Sequence, residues 1–120
     1  MRPEDHDAAY LWDLLTAARD VVRFMGHRTS AQYSADDVLK SAIERKIEIM
    51  GEAARRVSQA FQEEHPEIPW RRIIAQRNVL AHEYGAVEDH RVWLVATVHI
   101  PELLGNLMPL IPEPPAEPEP

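Results

Sequence analysis

Residues Trp70 to Tyr84 read WRRIIAQRNVLAHEY, and the spacing of the apolar residues in this stretch decides the fold. Trp70, Ile73, Ile74, Leu80 and Ala81 recur at helical intervals, and at roughly 100° per residue they share one face of a helix. Arg77 falls in the middle of that face. A guanidinium there is desolvated against neighbouring helices, which is costly unless a carboxylate, phosphate or backbone carbonyl receives it. Tyr84 lies over the same stripe, while Asn78 and His82 sit on its shoulder. The stretch gathers a fixed cation, an amide, a titratable imidazole and a phenol within one or two turns. A shoulder His and a Tyr near a helix end also have an ordinary packing role, and that alternative stays open. The Arg at the stripe centre is hardest to explain that way, because bulk solvent cannot serve it unless the stripe lines a cleft.

Outward from this stretch the same periodicity is nearly continuous, strand signals are poor and there are only four glycines. The sequence predicts an all-α fold, an up-and-down bundle of four main helices. Helix one is expected from Glu4 to Met25, burying Leu11, Leu14, Leu15, Ala18, Val21, Val22 and Met25, with Gly26 as its stop. The loop HRTSAQYS comes next. Helix two is expected to begin at Ser34 as its cap, with Asp36 and Asp37 at the positive end of the dipole, and to run to Glu63 or Glu64. Leu39, Ala42, Ile43, Ile47, Met50, Ala53, Ala54, Val57 and Phe61 would face inward. Gly51 costs about 1 kcal/mol in mid-helix relative to Ala, which points to close approach by another helix. Pro66 and Pro69 punctuate the chain, Pro69 suits the first turn of helix three, and that helix is expected to run to about Tyr84 with Gly85 as its natural stop. Helix four is expected from Val87 to Met108, with Val92, Leu94, Val95, Val98, Leu103, Leu104 and Leu107 as apolar positions and Pro101 kinking it near Ile100. These elements make residues 1–108 one domain. From Pro109, PLIPEPPAEPEP is expected to be a disordered acidic Pro-rich tail.

The chain has 120 residues, 45% of them hydrophobic, which suffices for one domain with a modest core. There is no cysteine, so disulfides, thiolate metal sites and thiol nucleophiles are excluded, in keeping with a reducing cytoplasm. The charged opening MRPEDHDAAY is unlike a signal peptide and no apolar run approaches membrane-spanning length, so a cytoplasmic protein without membrane association is expected. A net charge of −7 argues against a domain that holds nucleic acid by bulk electrostatics. The average conceals a local bias. Arg55, Arg56, Arg71, Arg72 and Arg77 cluster in the second and third helices, whereas three acidic residues lie in the tail. The six histidines are scattered and form no metal motif, and there is neither a phosphate-binding Gly-rich loop nor a nucleophile elbow. No metal or other cofactor is expected.

Arg77, Asn78, His82 and Tyr84 fit Arg-x-x-x-x-His-x-Tyr with a polar residue after the Arg. In this they resemble the HepT-type toxins of the HEPN superfamily. The resemblance is wider than the motif: ERKIEIMGEAARRVSQ, Glu44 to Gln59, is similar to the family's second helix, and PEIPWRRIIAQRNVLAHEY, Pro66 to Tyr84, to its signature helix and lead-in. It spans most of residues 4–108.

The residues suit phosphoryl chemistry without metal. An imidazole with pKa near 6.5 can take the proton of a ribose 2′-hydroxyl or give one to a leaving 5′-oxygen, and a guanidinium can stabilise the charge on the phosphate between them. His82 and Arg77 are the candidates for those roles, and Asn78 can hold the phosphate or the His tautomer. The resemblance implies a homodimer whose paired Arg and His residues line an RNA cleft, making the protein a metal-independent endoribonuclease toxin. It also implies a partner, a minimal nucleotidyltransferase antitoxin that transfers AMP to Tyr84. The alternative is a non-catalytic helical module that serves that nucleotidyltransferase as partner and AMP acceptor. Glu52 is expected to pair on the surface with Arg55 or Arg56 rather than reach the cleft and Arg77.

Overall fold

The computed structural model describes residues 3–82 and 86–111, with side chains described for 6–76 and 88–111. Within them the fold is all-α, as the periodicity predicts: a helical bundle. Helix α1 (Pro3–Met25) packs along α3 (Asp37–Arg56), α3 packs on α5 (Trp70–His82), and α7 (Ile100–Leu107) closes on α1. The core forms where α1 and α3 face each other. Leu14, Ala18 and Val21 of α1 and Ile43 and Ala54 of α3 are fully buried there. Val22 was expected to join them and does not. It is 37% exposed, because Val21 and Met25 occupy the inward stripe and the next position turns about 100° away.

Helix α1 ends where Gly26 predicts. Its φ of 55° is the left-handed conformation that glycine adopts without a Cβ penalty, and its N–H donates to the Val22 carbonyl at 3.0 Å. The segment read as a loop contains a further helix, α2 (Ser30–Ser34). Thr29 and Gln32 close a capping box around its start, the Thr29 Oγ1 accepting from the Gln32 N–H at 3.1 Å and the Gln32 Oε1 from the Thr29 N–H at 2.9 Å. This turn places the Tyr33 ring wholly inside the core. Ser34 is not the cap of the next helix. Asp36 is, its Oδ1 accepting from the Leu39 N–H at 3.0 Å, while Ser34 donates to Asp89 instead.

The long second helix of the sequence reading is two helices. Val57 turns to extended backbone after Arg56, and α4 (Gln59–Glu64) starts anew with Ser58 as its cap. Asp7 of α1 drives the break, accepting the Ser58 N–H at 2.7 Å and its hydroxyl at 2.6 Å. The Gln62 side chain then donates to the Ala54 and Val57 carbonyls at 3.2 and 3.0 Å, satisfying the end of α3.

The last long helix is interrupted as Pro101 predicts, though the disturbance lies ahead of the proline. Between α6 (Ala86–Leu94) and α7 the chain makes a π-helical turn, Val95–His99. Pro101 has no N–H to give the Thr97 carbonyl and its ring crowds that carbonyl, so a wider turn just upstream relieves both. The Thr97 hydroxyl meanwhile donates to the Trp93 carbonyl at 2.8 Å. Leu94 and Val98 of this segment are 36% and 50% exposed. Beyond α7 a 3-10 turn, Met108–Leu110, brings Leu110 and Ile111 against the core. The tail expected from Pro109 thus contributes its first apolar residues to the domain, since the helix axis still points them inward. Residues 112–120, Gly85, and the burial of Leu80 and Ala81 lie outside what is described. No helix of the described residues is long and apolar enough to cross a membrane.

Candidate functional site

Helix α5 is placed by its first turn. The Pro69 carbonyl accepts the Ile73 N–H at 3.0 Å, so this proline sits just ahead of the helix, where its missing N–H is not needed. Trp70 is 6% exposed and its indole N–H donates to the His65 carbonyl at 3.0 Å. The Phe61 ring meets both His65, at 4.4 Å between centroids, and Trp70, edge to face at 6.1 Å. Ile73, 4% exposed, continues the buried stripe. From this anchored start the backbone stays helical to His82, so Arg77, Asn78 and His82 occupy the last turns of one helix. Their side chains, and Tyr84 as a whole, lie outside the described residues.

Two other elements carry the polar residues nearest to the sequence reading of the site. On α3, Glu52 accepts from Arg55 at 2.6 Å and from Arg56 at 3.2 Å, and chiefly the Arg55 hydrogen bond holds its carboxyl below the usual carboxylate range. Arg56 in turn lies over the Tyr10 ring, 5.9 Å from its centroid. The surface pairing expected of Glu52 is present, and any approach to Arg77 falls outside the described side chains. Two members of the basic cluster are thus engaged with an acid, whereas Arg71 and Arg72 are exposed on α5.

On α6 the first turn carries two buried acids that the sequence did not single out, and one of them, Asp89, ties it to other elements. Asp89, 8% exposed, accepts from the Ser34 hydroxyl at 2.8 Å and pairs with Lys40 at 3.1 Å. Glu88, 5% exposed, stands 3.9 Å from Arg91. Trp93 donates to the Arg28 carbonyl at 2.8 Å, and His90 stacks on the Trp93 ring while its Nδ1 meets the Ser30 hydroxyl at 3.0 Å. Four contacts therefore tie α6 to α2, α3 and the turn between α1 and α2. Their only local signal is a polar run, Glu88 to Arg91, opening a helix.

Between α5 and α6 lies a cleft of about 360 Å³, with Arg72 and Gln76 on one wall and Arg91 and His99 on the other. It is neighbour to a smaller cavity of about 180 Å³ that shares Arg72, Gln76, Val95 and His99. Among the described residues no three His, Asp or Glu side chains are grouped so as to hold a metal ion.

Comparison with known proteins places this architecture. A family model described as Ribonuclease HepT-like matches residues 14–109. The "Probable ribonuclease HepT" of Thermococcus cleftensis is 32% identical over 97 residues, covering 81% of this chain and 88% of its own. The "Putative RNase MJ1380" of Methanocaldococcus jannaschii is 30% identical over 95 residues, covering 79% and 87%. The "Putative RNase TTE0752" of Caldanaerobacter subterraneus is 32% identical over 94 residues, covering 78% and 84%. No solved structure gives a significant match.

Proposed function

The chain belongs to the HepT-like ribonuclease family, and from that premise we propose that it is a metal-independent endoribonuclease toxin, active as a homodimer and silenced by a nucleotidyltransferase antitoxin that adenylylates Tyr84. One observation carries this: the family match over residues 14–109 takes in Arg77, Asn78, His82 and Tyr84 together, and the first three stand on the last turns of a single well-anchored helix.

In this mechanism His82 of one protomer takes the proton of a ribose 2′-hydroxyl as its oxygen attacks the adjacent phosphorus. The bond from phosphorus to the 5′-oxygen breaks, and the protonated His82 of the partner subunit supplies that oxygen with a proton. The products are a 2′,3′-cyclic phosphate and a free 5′-hydroxyl. Arg77 holds the charge that builds on the non-bridging oxygens, and Asn78 orients the phosphate or the imidazole. A single imidazole cannot be base and acid at once, which is why a second copy is required. AMP on Tyr84, two residues beyond His82, sets a phosphate and a base where the RNA phosphate has to sit.

Purified protein incubated with single-stranded RNA in EDTA is expected to yield fragments ending in 2′,3′-cyclic phosphate and to show a dimer mass by light scattering. His82→Ala should lower the rate at least about 10²-fold with fold and mass unchanged. Cleavage that survives this substitution removes the imidazole from the mechanism, and a monomer mass removes the paired site. Intact RNA with the wild-type dimer leaves the non-catalytic partner module.

A further inference from the structure

We propose that the cleft between α5 and α6 is a nucleotide subsite, separate from the cleaving residues, which grips the RNA chain through one base and its phosphate. This rests on the ribonuclease reading above and locates part of the substrate grip on the protein.

The cleft combines two features that a nucleotide needs. Its floor is apolar, formed by Val92 and Val95 with Ile47 of α3 beneath, and can take the face of a base. Its polar lining is Arg72 with Gln76 on one wall and Arg91 with His99 on the other. A cationic groove beside a surface for base faces holds single-stranded nucleic acid without strict sequence preference, and here aliphatic side chains stand where aromatic rings commonly do. The volume of about 360 Å³ is in the range of small-molecule sites. The charge is also unusual for this chain. On a body of net charge −7, the described lining brings together Arg72, Arg91 and His99, with the Glu88 carboxylate 3.9 Å from Arg91.

The smaller cavity gives the site a direction. It carries Glu67 and Glu102, which repel phosphate, so from the shared Arg72 the backbone of a bound nucleotide runs away from them, toward Arg91. The π-helical turn shapes this wall, since both Val95 and His99 belong to it and line both cavities. Position 76 lies about 9 Å along the α5 axis from position 82 and roughly 120° round the helix, so a nucleotide held in the cleft is a neighbour of the one on which His82 would act.

The test uses the full chain. In a His82→Ala background, which keeps RNA uncut, Arg72→Ala and His99→Ala are each expected to weaken binding of a fluorescein-labelled single-stranded RNA about fivefold. Arg72→Ala should also flatten the slope of log affinity against log salt by about 0.7, one phosphate contact fewer. With His82 restored, the same substitutions should raise KM and leave kcat unchanged. Both side chains are exposed, so the melting temperature should hold; Arg72→Gln is the second variant, expected to behave like Arg72→Ala. Free AMP should shift the amide resonances of Val92 and Val95, and shifts with AMP but no loss of RNA affinity in the variants would assign the cleft to free nucleotide and overturn the proposal. Unchanged affinity, salt slope and KM would overturn it too, while cleavage by the wild type left the ribonuclease reading standing. RNA binding that depends on Arg72 and His99 in a protein that cuts nothing would keep the subsite and sink the ribonuclease.

Discussion

Tyrosine chemistry separates the three phenols of this chain before any partner is considered. Tyr33 is wholly buried, and burial first, then the nearby Glu44, Asp89 and Glu88, push its hydroxyl above the ordinary phenol value. Such a group is neither accessible nor easily ionised for attack on a nucleotide phosphate. Tyr10 is half-buried beneath the Arg56 guanidinium. Tyr84 shares its chain segment with Arg77 and His82, so only there would an added phosphate meet the proposed cleaving residues. With the cognate nucleotidyltransferase, ATP and magnesium, the mass of the protein is expected to rise by one or more AMP units that peptide mapping places on Tyr84. Tyr84→Phe should block that gain and retain most cleavage. AMP found on Tyr10, or a Tyr84→Phe protein that folds but does not cut, would sink the regulatory assignment. How the tyrosines divide was only partly legible in the sequence: the motif singled out Tyr84, while the burial of Tyr33 depends on α2 docking against α3 and α6.

At the scale of elements, local signals placed what local chemistry decides. Gly26 ends α1 because its own backbone conformation does so, and Pro101 disturbs the last helix because its ring acts on the preceding turn. The Thr29 to Gln32 capping box was equally local, but it sits so soon after Gly26 that the segment passed for loop. The break at Ser58 was not legible at all. Its cause is a carboxylate on Asp7, remote in sequence, and without it Ser58 is merely a polar residue in a long periodic run. The acids that seat α6 were illegible for the same reason, since Ser34 and Lys40 reach Asp89 only in the folded chain. Gly105 lies inside α7 with nothing within 4 Å of where a Cβ would stand, so Ala there meets no obstacle and restricts the unfolded chain. Gly105→Ala should stabilise by about 0.5–1 kcal/mol, seen as a rise of a few degrees in melting temperature. A fall would mean that another surface packs against α7 in solution.

For the whole molecule the question is where the domain ends. Composition alone draws the line at Pro109, because alternating Pro and Glu has no apolar face to bury. Packing moves it, since the 3-10 turn after α7 carries Leu110 and Ile111 back onto the core. The last nine residues, PEPPAEPEP, hold three of the acidic residues and no large apolar side chain. Two truncations test this boundary. Ending the chain after Ile111 keeps every described packed residue and should leave the melting temperature within about a degree. Ending it after Met108 also removes two partly buried aliphatic side chains, a loss of about 1–3 kcal/mol at the usual value per buried methylene, and should lower the melting temperature by several degrees. Equal melting temperatures for the two truncated chains would show that Leu110 and Ile111 add nothing to the core. A large fall on removing residues 112–120 alone would show that the Pro-rich segment is itself docked, and would return it to the folded domain.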